Sequence, residues 1–485
     1  MSMLITLLVS FLVQTQEDFT ALPSMVREAL KTAPDSVDIR LSKGVYFYKD
    51  NLWDWSGISS ENTVIRILGD DAVLVGSDNG ETAYRIENGY VDLNSLCHVD
   101  TRTEMRQAYL WPVRIPFHKG LYMIHCKGET PLPKEELSEY TLLLSQWYIG
   151  ALYPIEKITR NHIFFRRETK YSTGMWSELR YGRCFPRYLL WGPPKDDGPK
   201  LYACQSTRFL TVENTSLKEL SIEGVRFLGN GDGDWMIKLK DLKTERVEIS
   251  RCHFEGIRSG CVYVEATDHF LMHDSEMRKC YRWGVYVWTS SHDCVIRNNR
   301  FIDNGLRVSF NPVVDCKADG FLIADNYFED FSYSAIGAGN HYAEPDTKGT
   351  RGIIENNEIC MSDDFRSRVF RSLIDSGAIY VWTKNNGLII RNNYIHDIAG
   401  AHGNRGILCD DAAVNVRIEG NRIVRINNGY CIDLRKKLRV GRKKKSTIRT
   451  VNVGNVMQGN IIDGPIRFEV RRNDPTSLKG ENIVI

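Results

Sequence analysis

Asp410 and Asp411 stand side by side at the end of an apolar run, Gly406-Ile-Leu-Cys-Asp-Asp411, and Asp433 closes a similar phrase, Gly429-Tyr-Cys-Ile-Asp433. Another carboxylate, Asp375, opens the run Asp375-Ser-Gly-Ala-Ile-Tyr-Val-Trp382, which ends on an indole. Carboxylates a few ångströms apart can divide a task. Their mutual repulsion raises one pKa, so one group donates a proton while the other attacks or activates water. Cleavage of a glycosidic bond needs that pair, at roughly 5 Å for retention and a wider gap for inversion. Trp382 adds an apolar ring face against which a sugar can rest. A single Asp at a chain corner more often serves only backbone groups. Adjacency of two Asp, beside a Trp, is what lifts Asp410 and Asp411 above that background.

Such residues need a scaffold that stacks equivalent strands, and a repeat supplies it. The phrase apolar-x-apolar-x-x-Asn-x-Phe/Ile appears as Val295-Ile-Arg-Asn-Asn-Arg-Phe301 and returns at 322–328, 353–359, 389–395, 416–423 and 456–462, with weaker copies at 220–227 and 247–254. Its asparagines are Asn299, Asn326, Asn357, Asn393, Asn421 and Asn460, separated by 27 to 39 residues. Spacing this irregular suits a β-helix, whose corners accept loops while its strands stay in register. Asn fits a corner because it tolerates left-handed backbone angles and hydrogen-bonds locally, and stacked Asn side chains can bond coil to coil. Leucine-rich horseshoes and propellers show regular Leu spacing or a period of roughly 40–45 residues, and neither pattern fits. The expectation is an all-β chain, a right-handed parallel β-helix with an inserted β-sandwich-like domain.

The domains follow from where the repeat holds. Residues 201–485 form the β-helix and carry the candidate chemistry. Residues 18–76 read as an N-terminal cap, with a short amphipathic helix over 20–33, followed by the first coils. Between 77 and 200 the repeat vanishes into a stretch rich in Trp, Tyr and Arg, with strand-like runs such as 141–149 and a return loop at 191–198. This is the expected sandwich-like insert. Residues 1–17 read as a signal peptide, with an apolar core but no Lys or Arg before it, which implies a secreted or periplasmic protein. A buried first strand or helix is the competing reading. The twelve cysteines are scattered, without a metal-like Cys-x-x-Cys pair, so buried free thiols are expected.

A strand precedes each Asn corner: 284–288, 335–339, 378–382, 406–410 and 429–433. No gap is needed between 383–393 and 411–421, so Asp410 stacks on Trp382 and Asp411 on Thr383. One coil further, the matching Gly…Asp phrase puts Asp433 in the Asp410 row. Parity turns Ile379, Val381, Ile407 and Cys409 inward, and Tyr380, Trp382 and Asp410 outward. The candidate catalytic residues are therefore Asp410, Asp411 and Asp375. The candidate substrate-binding residues are Trp382, Asp433 and His341, the last in a loop over 341–348 on the same side. On straight strands Asp375 would lie some 20 Å from Asp410, so either the corner folds it back or Asp433 is the partner.

The runs 375–382 and 406–411, with Asn393-Tyr-Ile-His-Asp397 between them, resemble bacterial β-helix glycoside hydrolases, in particular glycoside hydrolase families 120 and 141. The resemblance covers 200–480 and, more loosely, the insert. It implies β-xylosidase-, xylanase- or α-fucosidase-like activity and implicates Asp375 and the Asp410–Asp411 pair. Leu408-Cys409 stands where Tyr-Leu is expected.

Two other classes stay open. A polysaccharide lyase would use a Lys or Arg base with Ca²⁺, and Val314-Asp-Cys-Lys-Ala-Asp319 offers Lys317. A non-catalytic glycan-binding protein would need none of these carboxylates. The cationic segment 435–445 is a solvated loop or a contact for an acidic polymer. An acidic polysaccharide is the better match, because no aromatic-interleaved nucleic-acid motif accompanies it. The hydrolase reading calls for a polysaccharide or oligosaccharide substrate, no metal or other cofactor, no nucleic acid and a monomer. A net charge of +2 excludes little, and past the N-terminus no apolar run is long enough to span a membrane.

Overall fold

Three short strands make each coil, and equivalent strands of successive coils pair in parallel. In one coil they are Ile379–Val381, Asn385–Arg391 and Tyr394–Ile398; in the next, Arg405–Cys409, Val416–Glu419 and Arg422–Ile426. Ile379 pairs with Ile407, Leu388 with Val416 and Tyr394 with Arg422, a common offset of 28 residues on all three faces. The ungapped alignment read from the sequence therefore holds. The computed structural model describes residues 8–48, 53–76, the strands between 106 and 203, and 208–485 apart from 231–234, 258–259, 281, 306–311, 332, 340–349, 364–375, 383–384, 400–403, 411–412, 428, 436–438, 441–446, 449–453 and 469–477.

The third face is a twelve-stranded parallel sheet. The first and second faces are joined by the long strand Leu210–Glu223, whose front half pairs with Ile237–Lys243 and whose back half pairs with Arg246–Ser250. Alternate residues fill the interior, as period-two patterning requires. Val381, Ile390, Ile395, Cys409, Ile418 and Ile423 all belong to one continuous core. Like residues stack along the axis, Phe227 on Phe254 at 4.9 Å and Phe301 on Phe328 at 4.7 Å.

The corner asparagines form a buried ladder. Each backbone N–H donates to the side-chain oxygen one coil on: Asn299 to Asn326, Asn326 to Asn357, Asn357 to Asn393, Asn393 to Asn421 and Asn421 to Asn460, all at 3.0 Å. Asn482 extends it at one end, and Ser275 and Cys252 at the other. One part of the expectation is corrected. The left-handed residue is the one before each rung: Asn298, Asp325, Asn356, Asn392, Gly420 and Gly459, with φ between 54° and 64°. The two jobs fall on neighbours, which explains the Asn-Asn, Asp-Asn and Gly-Asn pairs of the repeat.

At the N-terminus, Leu8–Val13 lies parallel to Ser36–Leu41 as the first strand of the second face. The cap helix runs Gln16–Leu30, four residues earlier than expected, because Thr15 and Asp18 form a capping box at its start. Its Phe19, Leu22, Val26 and Leu30 close the end of the core.

Strands between Arg106 and Arg183 form one antiparallel seven-stranded sheet. Its longest strand, Ile149–Ile158, pairs through its first half with Tyr140–Gln146 and through its second half with His162–Phe165, with an irregularity between Ile155 and Lys157. The run expected at 141–149 is thus two strands of a hairpin. Tyr188–Trp191 and Lys200–Ala203 pair as a second hairpin, with most of the expected return loop between them. Eight cysteines among the described residues, Cys409 and Cys431 included, are buried free thiols, as expected.

Candidate functional site

On the first face, alternate side chains point away from the core, and stacking collects them into two rows. One row runs Lys238, Tyr263, Tyr286, Asp315, Gly337, Tyr380, Leu408, Asp433 and Arg467. The other, two residues further along each strand, includes Trp288, Lys317, Trp382, Asp410 and Arg435. Their N–H groups donate to Val264, Val287, Ala338, Val381 and Cys409, at 2.8 to 3.1 Å. Asp410 therefore follows Trp382 in its row, as read from the sequence.

Asp433 does not lie in that row. It pairs with Leu408, while Arg435 follows Asp410. A slip of two residues leaves every side chain on its own face, so the apolar pattern cannot detect it. Local fit decides. Gly429 passes so close to Asn404 that a Cβ would stand 1.7 Å from the Asn404 carbonyl oxygen, and a Cβ on Gly406 would stand 2.6 Å from that of Cys431. The two glycines seat this register.

Asp410 is 3% exposed. The Tyr380 hydroxyl donates to its Oδ2 at 2.8 Å, and Arg435 Nη1 reaches its Oδ1 at 3.4 Å. Asp433 is fully buried among three guanidiniums. Arg467 grips it through Nε and Nη2, both at 2.6 Å, while Arg405 Nε and Arg435 Nε each donate at 2.9 Å. Burial alone would push the Asp433 carboxyl up. The Arg467 hydrogen bonds and the charges of Arg435 and Arg405 outweigh it and hold the group below the ordinary carboxylate range. Asp433 is thus an ion-pair centre, and Arg435 links it to Asp410.

Trp382 is only 8% exposed and packs against Tyr380 at 4.5 Å, in a small cluster with Tyr333 and Leu408 outside the main core. It precedes Asp410 in their row and offers little open face. Asp411, Asp375 and His341, and most of 435–445, lie outside the described residues. Lys317 sits over the Trp288 ring at 4.8 Å, and Asp319, two residues on, is held by Arg351 through two nitrogens at 2.8 and 3.0 Å.

A family model described as a right handed beta helix region matches residues 201–340. The chain is a right-handed parallel β-helix. No curated protein sequence matches it. Similar solved structures include one titled glycoside hydrolase, 11% identical over 99% of this chain and 96% of that one, with a TM-score of 0.41. Another is the A-module of the Azotobacter vinelandii mannuronan C-5 epimerase AlgE6, 13% identical over 98% and 96%, at 0.45. A third is XylC with xylose, 10% identical over 90% and 72%, at 0.40.

Sequence reasoning missed the partners of the carboxylates. The sequence pattern turns Tyr380 outward without giving it a role, and gives Arg405, Arg435 and Arg467 no part in the site. The signal was present: once Asp433 is set against Leu408, Arg435 falls beside Asp410 and Arg467 beside Asp433.

Proposed function

We propose that the chain is a glycoside hydrolase of the kind represented by families 120 and 141, cleaving a polysaccharide or oligosaccharide at Asp410. The observation that carries this reading is Asp410 itself. It is an outward carboxylate that follows Trp382 on a stacked row and is oriented by two donors, Tyr380 and Arg435. Both partners donate, so the arrangement presents Asp410 as an acceptor, the role of base or nucleophile. The proton donor in this proposal is Asp411 or Asp375. Asp433, held ionised by three arginines, is unsuited to that part. Monomeric action outside the cytoplasm belongs to the same proposal.

The test is a product assay on soluble polysaccharides and aryl-glycosides, with and without chelator. The expected result is a reducing sugar, insensitive to chelator and lost in Asp410→Asn. A calcium-dependent unsaturated product absorbing in the ultraviolet would overturn the hydrolase and move the reaction to Lys317.

A further inference from the structure

Six coils carry outward aromatic or charged side chains between Trp235 and Asp410, and the N-terminal part of this face has a feature that the chemistry above does not use. Trp235 lies against Gly260: a Cβ there would stand 2.0 Å from the indole ring. Tyr263, Trp283 and Tyr286 surround the same ring, with centroids at 5.2, 5.3 and 5.6 Å. The indole rests on backbone and is fenced by three rings. It is nevertheless half-buried, not buried, as are Tyr263, Trp283 and Trp288.

The fringe is polar. The Tyr263 hydroxyl donates to Glu265 at 2.7 Å, and Lys240 pairs with Glu265 at 3.0 Å. Lys317, itself buried, packs over Trp288 on the side toward Asp410. An apolar ring bordered by hydroxyl, carboxylate and ammonium groups matches a sugar, which is apolar on its C–H face and hydroxylated at its edge. A protein partner fits poorly. Four half-buried rings leave on the order of 300 Å² or less, against roughly 800 Å² per partner in a stable interface.

We propose that the Trp235 platform, with Tyr263, Glu265 and Lys240 at its edge, is a carbohydrate-binding site that holds a polysaccharide chain lying along the β-helix axis. Tyr263 and Asp410 are five coils apart on the same face, roughly 24 Å at about 4.8 Å per coil. Only a chain of several sugars reaches from one to the other. The platform then selects polymer over short substrate and favours internal cleavage. That last step rests on the proposed hydrolase; the binding itself does not.

The experiment is affinity electrophoresis of the full chain in gels containing xylan, polygalacturonate, mixed-linkage β-glucan or alginate, with aryl-glycoside turnover measured alongside. The parent is retarded by at least one polymer. Trp235→Ala weakens that retardation about five-fold or more, Trp235→Tyr restores part of it, and the rate on the short substrate is unchanged. Unfolding temperatures of the variants exclude a folding defect. Retardation that depends on Trp235 without any cleavage would keep this site and sink the hydrolase. Retardation equal in parent and Trp235→Ala, or a parent retarded by none of the four polymers, overturns the site.

Discussion

The Tyr380 hydroxyl crosses one coil to donate to Asp410 Oδ2 at 2.8 Å. A buried phenol and carboxylate joined in this way fix the orientation of the acid, and orientation is what a reacting carboxylate needs. Tyr380→Phe keeps the ring packing against Trp382 and removes the donor. On the substrate found by the product assay, kcat should fall roughly ten- to hundred-fold, with a stability loss of about 1–2 kcal/mol. Turnover unchanged beside a loss of stability would mark Asp410 as structural.

Asp433 is the charge on which three guanidiniums converge. Asp433→Asn leaves them facing one another in a buried site and should cost on the order of 3–5 kcal/mol at pH 7. The sign with pH follows from the lowered carboxyl. The stabilisation is complete above the unfolded pKa of about 3.9 and is lost as pH falls through the lower folded value. Thermal unfolding of parent and variant should therefore converge below about pH 4. A gap that stays constant into acid would mean that the ion pairs do not carry the effect.

Asp330 shows the opposite linkage. Burial pushes its carboxyl up to about 6, although the Ser362 N–H and hydroxyl both donate to it at 2.7 Å. Its folded pKa is raised, so stability is lost as pH rises from about 3.8 to about 6 and is level above that. Asp330→Asn keeps an acceptor for the Ser362 N–H and tolerates the left-handed backbone at φ 59°. Urea unfolding at pH 8 should show a gain of about 2 kcal/mol, shrinking toward pH 4. A destabilised variant at pH 8 would refute this assignment.

In the asparagine ladder, position should set the cost. Asn357 donates to Ile323, Glu355 and Asn393 and accepts from Asn326, and all but the bond to Glu355 are buried. Asn357→Ala leaves several buried backbone groups unmatched and should cost about 3 kcal/mol or more. Asn482, the half-buried last rung, should cost under about 1 kcal/mol as Asn482→Ala. Equal losses at both positions, measured by thermal unfolding, would rule out burial as the source of the ladder's contribution.

Local repetition made most of this fold legible. The Asn repeat, the alternating apolar strands and the ungapped offset from Trp382 to Asp410 are properties of short segments read against one another, and parallel stacking turns such identity directly into contact. Features that depend on a two-residue choice or on distant partners were hidden. The apolar pattern could not separate the two registers of Asp433, because both keep its neighbours inside; the close approach of Gly429 to Asn404 decided it. Two of the arginines reach Asp433 from adjacent coils, Arg405 from 28 residues before it and Arg467 from 34 after it. No spacing rule links them before the coils are stacked. The sequence by itself determined a stacked β-helix with outward carboxylates. Only the tertiary structure decided which carboxylate is locked in ion pairs and which meets a phenol, because charge and hydrogen bonding act through space between coils and leave no periodic trace along the chain.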